Sequence, residues 1–161
     1  MYFLQVFPRN RCTFVPNSNQ SFNQNHRIVQ SMVNKKEQNT APLAGARQLA
    51  NVIIEGIQEK KGSGIVVVDL SGIEGAICRY FVICQGNSPM QVEAITDSVE
   101  EFAREKAGEK PVRIAGRENA TWVAMDYTDV MVHVFVPDMR EYYSLESLWQ
   151  DAPIEAIPDL S

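Results

Sequence analysis

Cysteine is scarce in this chain. Its 161 residues hold only Cys12, Cys78 and Cys84, an odd number with no CxxC pair. That excludes a disulfide framework and a zinc ribbon, and a reducing cytoplasm fits best. Histidine is scarcer still, with only His26 and His133. No ligand-spaced metal cluster can be built from them and scattered carboxylates. No apolar run approaches the roughly 18 residues of a membrane span. Internal repeats are also missing. What is present is an ordinary globular balance, 45% hydrophobic and 22% charged. A chain of this size can bury a core without covalent staples.

Acid is absent from residues 1–36, which carry Arg9, Arg11, Arg27, Lys35 and Lys36. The formal net charge of −5 therefore hides a split. The remainder holds ten cations against twenty acids. A body that acidic repels nucleic acid unless it hides a basic patch. It attracts basic partners, ribosomal proteins among them, although acidity also serves solubility alone. Residues 1–38 read as a disordered, Asn- and Gln-rich extension, with Pro8 and Pro16 breaking the apolar start. An organelle transit peptide is one alternative. An over-long gene start is another, since Met32-Val33-Asn34-Lys35-Lys36-Glu37 reads as an ordinary cytoplasmic beginning.

From Leu43 to Lys61 the apolar positions Leu43, Ala46, Ala50, Ile53, Ile54 and Ile57 follow a 3.6-residue period, which predicts an amphipathic helix. Pro42 and Gly62 punctuate it. Ile65-Val66-Val67-Val68 and Tyr80-Phe81-Val82-Ile83-Cys84 read as strands, the first buried on both faces. Ser88-Pro89-Met90-Gln91 carries a capping box and a proline at the first helical position. It opens a helix to about Ala107, with Ile95, Val99, Phe102 and Ala103 inward and Gly108 at its end. Val112 to Ala115, Trp122 to Asp126 and Val130 to Val136 read as strands. Met139 to Trp149 reads as a last helix, and residues 151–161 as an acidic tail. The order α-β-β-α-β-β-β-α predicts one α+β or mixed α/β domain over residues 39–150, a small sheet covered by helices.

Enzyme chemistry finds little footing. Cys84 lies in an apolar strand, where thiols are usually inert core. The helix start at Ser88 could cradle a phosphate, but it lacks a P-loop's glycines and lysine, and capping alone explains the serine. Asp69 stands alone at the end of its strand, and Asp126 and Asp129 are separated by a turn, so a two-metal carboxylate pair is poorly supported. What remains is a dense cluster: Trp122, Asp126, Tyr127, Asp129, Val130, His133, Tyr143, Leu145 and Trp149. Trp and Tyr are common anchors at protein interfaces. Strand alternation forbids all of these residues from sharing one sheet face, so some must be core. His133 reads first as a hydrogen-bonded core histidine.

These residues carry a family likeness. The run from Gly116 through Trp122, Asp126-Tyr127-Thr128-Asp129 and His133 to Phe135 resembles the signature of the ribosomal silencing factor family, the RsfS or Iojap-like proteins. Tyr80-Phe81-Val82-Ile83-Cys84-Gln85-Gly86-Asn87-Ser88 is similar to its second strand and helix cap. Tyr143-Ser144-Leu145-Glu146-Ser147-Leu148-Trp149 is similar to its closing motif. The resemblance runs from about Leu43 to Trp149 and has no counterpart for the N-terminal extension.

The resemblance implies a nucleotidyltransferase-like fold without the metal carboxylates, no catalytic residue, and no cofactor or metal. It implies a cytoplasmic repressor of translation that binds large-subunit ribosomal protein fourteen and sterically blocks joining of the small subunit, especially in starvation or stationary phase. Little direct RNA contact and no membrane contact are expected. Carried over position by position, the partner-binding residues are Trp122, Asp126, Tyr127, Asp129, Val130 and His133, with Tyr143, Leu145 and Trp149. Thr128 stands where the family usually has Gly, so the turn is expected to differ in shape and to displace Tyr127. Two alternatives stay open: a nucleotidyltransferase-like enzyme or nucleotide-binding protein, and a homodimer that uses the aromatic cluster as its self-interface.

Overall fold

A computed structural model of the chain describes residues 3–7, 11–15 and 43–160. Two strands, β1 (Phe3–Phe7) and β2 (Arg11–Val15), pair antiparallel with Phe3 opposite Val15 and Phe7 opposite Arg11. The sequence reading expects no regular structure there. Both segments are rich in aromatic and β-branched residues, and a short connection lets them pair locally. The Asn/Gln-rich stretch and Met32 lie outside the described residues.

The body begins with α1 (Leu43–Glu59), whose Ala46, Ala50, Ile53, Ile54 and Ile57 are buried at the predicted spacing, joined by Leu49, which that reading passes over. Then follow β3 (Ser63–Asp69), β4 (Tyr80–Gln85) and α2 (Pro89–Phe102), continued by a π-helical turn over Ala103–Ala107. Gly108, at φ +68°, closes that helix as predicted. Next come β5 (Arg113–Ala115), β6 (Trp122–Asp126), β7 (Val130–Phe135) and α3 (Pro137–Tyr143). A 3-10 helix, Leu145–Trp149, and β8 (Ile154–Ala156) complete the chain.

Six strands form one sheet in the order β5-β6-β7-β4-β3-β8. Every pairing is antiparallel except β4 with β7, which run parallel from Tyr80 opposite Val130 to Gln85 opposite Phe135. A parallel pair needs a long crossover, and α2 with β5 and β6 supplies it. The helices α1 and α2 cover one face of the sheet, over Ile65, Val67, Val82, Cys84, Val123, Met125, Val130, Val132 and Val134. They approach closely at Gly56, where an added Cβ would lie 3.0 Å from the Val99 Cα. Ser98 Oγ donates to the Gly56 carbonyl there at 2.8 Å. The other face is covered by the loop over residues 70–79, by α3 and by the 3-10 helix.

Three local predictions need correction. Ser88 Oγ does accept from the Gln91 N–H at 3.2 Å, but Gln91 Oε1 accepts from Asn87 N–H and not from Ser88. The reciprocal bond has shifted one residue toward the N-terminus, which frees Gln91 Nε2 to donate to the Lys60 and Lys61 carbonyls at the end of α1. The last helix is two pieces. Pro137 opens α3 instead of only ending β7, and Ser144, at φ +41°, breaks the path before the 3-10 turn. Arg140 then rejoins the pieces, donating from Nε and Nη2 to Glu146 Oε1 and from Nη1 to Gln85 Oε1 on β4. Finally, residues 151–161 are not merely an acidic tail, since β8 within them adds a sixth strand to the sheet.

Candidate functional site

The turn between β6 and β7 is held by its own backbone and by the Asp126 side chain. Tyr127 N–H donates to the Val130 carbonyl, Asp129 N–H to the Tyr127 carbonyl, and Thr128 N–H to Asp126 Oδ1, at 2.8–2.9 Å. Thr128 sits at φ +74°. Thr128 takes the left-handed conformation that glycine takes freely, at a cost of about 1–2 kcal/mol of strain.

Arg79, just before β4, clamps this turn from the side. Its backbone N–H and that of Tyr80 both donate to the Asp129 carbonyl, at 2.8 and 3.1 Å. Its Nε lies 3.4 Å from Asp129 Oδ1, an ion pair that is largely shielded from solvent. Sequence reasoning passes over Arg79. The available signal was a cation placed inside the apolar run Ile77-Cys78-Arg79-Tyr80-Phe81, where a charge needs a partner.

The predicted cluster divides between the two faces. Trp122, His133, Leu145, Tyr143 and Trp149 belong to the aromatic face, whereas Tyr127 and Val130 belong to the helix-covered face. Trp122 is fully buried, stacked on Phe135 at 4.9 Å and against Tyr143 at 4.5 Å. Its Nε1–H donates to His133 Nδ1 at 3.3 Å. That bond leaves the imidazole proton on Nε2. His133 is likewise fully buried, edge-on to Phe81 at 4.9 Å, and burial lowers its pKa to about 3. It is neutral at physiological pH, a core histidine as first read. Trp149 lies edge-on to Phe81 at 5.8 Å.

Burial sorts the nine residues further. Trp122, Tyr127, Asp129, Val130, His133 and Leu145 are buried, so in this conformation their side chains offer a partner little or no surface. Asp126, Tyr143 and Trp149 are half-exposed, and Thr128 at the tip of the turn is exposed. The Tyr127 hydroxyl is buried with no hydrogen-bond partner, and burial with the nearby Glu100 raises its pKa further above the usual phenol value. Burial also pushes the Cys84 thiol up to about 12, so it stays protonated. Among the described residues no three His, Cys, Asp or Glu side chains are grouped to hold a metal ion. No helix among them is long and apolar enough to cross a membrane.

Known proteins resemble this chain in sequence and in fold. The sequence profile of the family described as "Ribosomal silencing factor during starvation" matches residues 43–161. The ribosomal silencing factor RsfS of Halalkalibacterium halodurans is 41% identical over 107 residues, 66% of this chain and 90% of that protein. The RsfS of Bacillus subtilis is 38% identical over 108 residues, 67% of this chain and 90% of that protein. A crystal structure of a Chromobacterium violaceum protein superposes with a TM-score of 0.62 at 32% identity, covering 65% of this chain and 86% of that chain. The acidic, helix-backed sheet described here is thus the fold of a named group, and the chain belongs to the ribosomal silencing factor (RsfS) family.

Proposed function

We propose that the protein represses translation by occupancy and without catalysis. It binds the large ribosomal subunit through large-subunit ribosomal protein fourteen and sterically blocks joining of the small subunit. Family membership carries this reading, since relatives matched over 90% of their own length are named ribosomal silencing factors. The charge supports it: ten cations against twenty acids beyond residue 36 favour encounter with a basic ribosomal protein. The site of action is the cytoplasm.

The contact surface is the exposed rim of the aromatic face: Asp126, Tyr143 and Trp149, with Thr128 at its edge. Trp122, His133 and Leu145 support that rim from below, while Tyr127 and Val130 anchor the strand ends on the helix-covered face. Asp126 supplies a charge-assisted bond to Arg or Lys of the partner. Asp129 has its charge engaged by Arg79, so it holds the turn in place.

Sedimentation with salt-washed large subunits, followed by addition of small subunits, tests this. The wild-type protein co-sediments and blocks joining. Tyr143→Ala weakens binding by about 2–4 kcal/mol, roughly 30- to 1,000-fold, if Tyr143 is a central anchor. Asp126→Asn mainly slows association and flattens its salt dependence. Wild-type protein that stays at the top of the gradient defeats the proposal.

A further inference from the structure

We infer that Arg140 is the positioning residue of segment 137–149: it sets where Tyr143 and Trp149 stand against the sheet, and so governs large-subunit affinity without touching the partner. The inference rests on the proposed reading of Tyr143 and Trp149 as contact residues, and extends it to a side chain outside the contact surface.

That segment needs a tie beyond its own packing. None of the seven residues of α3 is buried, and within the 3-10 helix only Leu145 is. Apolar burial therefore does little to fix either piece. Between them the chain passes through Ser144, in left-handed backbone at φ +41°. The ladder of α3 ends with Ser144 N–H on the Arg140 carbonyl, and the next turn restarts with Ser147 N–H on the Ser144 carbonyl, at 2.8 and 2.9 Å. The two ladders meet at one residue, which leaves their mutual angle to the side chains.

Arg140 bridges the break. Its Nε and Nη2 both donate to Glu146 Oε1, at 2.9 and 2.7 Å, and tie α3 to the 3-10 helix. Its Nη1 donates to Gln85 Oε1 at 3.3 Å and ties both pieces to the end of β4. The Arg140 side chain is only 16% exposed and that of Glu146 26%, so these charge-assisted bonds are largely shielded from water. The rigid guanidinium fork lets one side chain donate in two directions, whereas lysine carries all its donors on one nitrogen. Glycine at position 64 leaves the fork its space, since a Cβ there would lie 2.6 Å from Nη1. The leverage is short. Tyr143 lies one helical turn after Arg140, and Trp149 one 3-10 turn after Glu146, so each contact ring shares a side with one member of the ion pair. A shift of the pair moves Tyr143 against Trp122 and Trp149 against Phe81, the rings they meet at 4.5 and 5.8 Å.

The test compares the full chain with Arg140→Lys, which keeps the charge and removes the fork. Two readouts are taken: affinity for salt-washed large subunits, and acrylamide quenching of tryptophan fluorescence. Trp122 is fully buried, so quenching reports Trp149. The variant should keep a cooperative melt, bind about tenfold more weakly, and show steeper quenching. In a Trp149→Ala background the same substitution should cost no more than about threefold, because the ring it places is gone. Gln85→Ala removes only the tie to β4, and carries both readouts if Arg140→Lys does not melt cooperatively. Unchanged affinity overturns the inference. So does a full tenfold loss that persists without Trp149, since Arg140 then acts on the partner itself. Quenching that matches wild type overturns the positioning whatever the affinity does. Wild-type protein that fails to bind subunits defeats the ribosome-binding reading and the affinity half of the inference, while quenching still decides whether Arg140 places Trp149.

Discussion

The two faces of the sheet are sealed by different means. Under α1 and α2 the side chains are mostly aliphatic, and two long helices supply most of the cover. The opposite face sets four rings, Phe81, Trp122, His133 and Phe135, among Val68, Leu70, Ile83 and Met131, under a loop, a seven-residue helix and a 3-10 turn. Aliphatic packing is non-directional and tolerates many neighbours. The ring face depends on particular geometry, including one buried polar bond from Trp122 to His133. Its cover also leaves Tyr143 and Trp149 half-exposed, so the inner rings are core while the outer ones form surface. Aromatic clustering alone therefore does not tell an interface from the layer that supports it.

The sharpest way to break this contrast is Trp122→Ala. A fully buried indole stacked on Phe135 and Tyr143 should cost about 3–5 kcal/mol in urea unfolding when truncated. A loss below about 1 kcal/mol would show that the ring face is a loose surface and not a second core.

Acid provides a smaller and more selective probe. His133 has a folded pKa of about 3 against an ordinary value of 6.5, so between these values the unfolded chain binds the extra proton. Its contribution to stability is complete above pH 6.5 and declines as the pH falls toward 3. Between pH 7.5 and 5.5 it should cost about 1.4 kcal/mol. Comparing wild type with His133→Phe at both pH values isolates this loss from that of the carboxylates. Equal pH dependence in the two proteins would mean that His133 gains access to water.

The smallest effect should come at the turn where the two faces meet. Thr128→Gly relieves the strain at φ +74° but adds freedom to the unfolded chain. A net gain of about 0.5–1 kcal/mol in thermal unfolding is expected. A net loss would mean that the exposed threonine side chain makes a stabilising contact of its own.

Much of the fold was legible because it is written in local chemistry. The period of α1, the Ser88-Pro89 start of α2, the Gly108 stop and the β-branched runs of β3, β4 and β7 each follow from residues close in sequence. Where the reading failed, a competing local or distant partner had won. Gln91 turned from Ser88 to Asn87 because its amide could then bind the end of α1. Ile154–Ala156 became a strand because β3 offered an open edge. At the candidate site the family motif was legible, but the burial of its members was not. Arg79 went unread because its partner Asp129 lies fifty positions away along the chain.

The sequence by itself determined the element types from α1 through β7, the acidity of the body and the family to which the chain belongs. These depend on composition, short-range periodicity and motif spacing. Only the tertiary structure decided the parallel pairing of β4 with β7, the capping of β3 by β8, and which aromatic residues face water. Each of those is settled by contacts between distant segments, whose free energy is realised only when the whole sheet assembles.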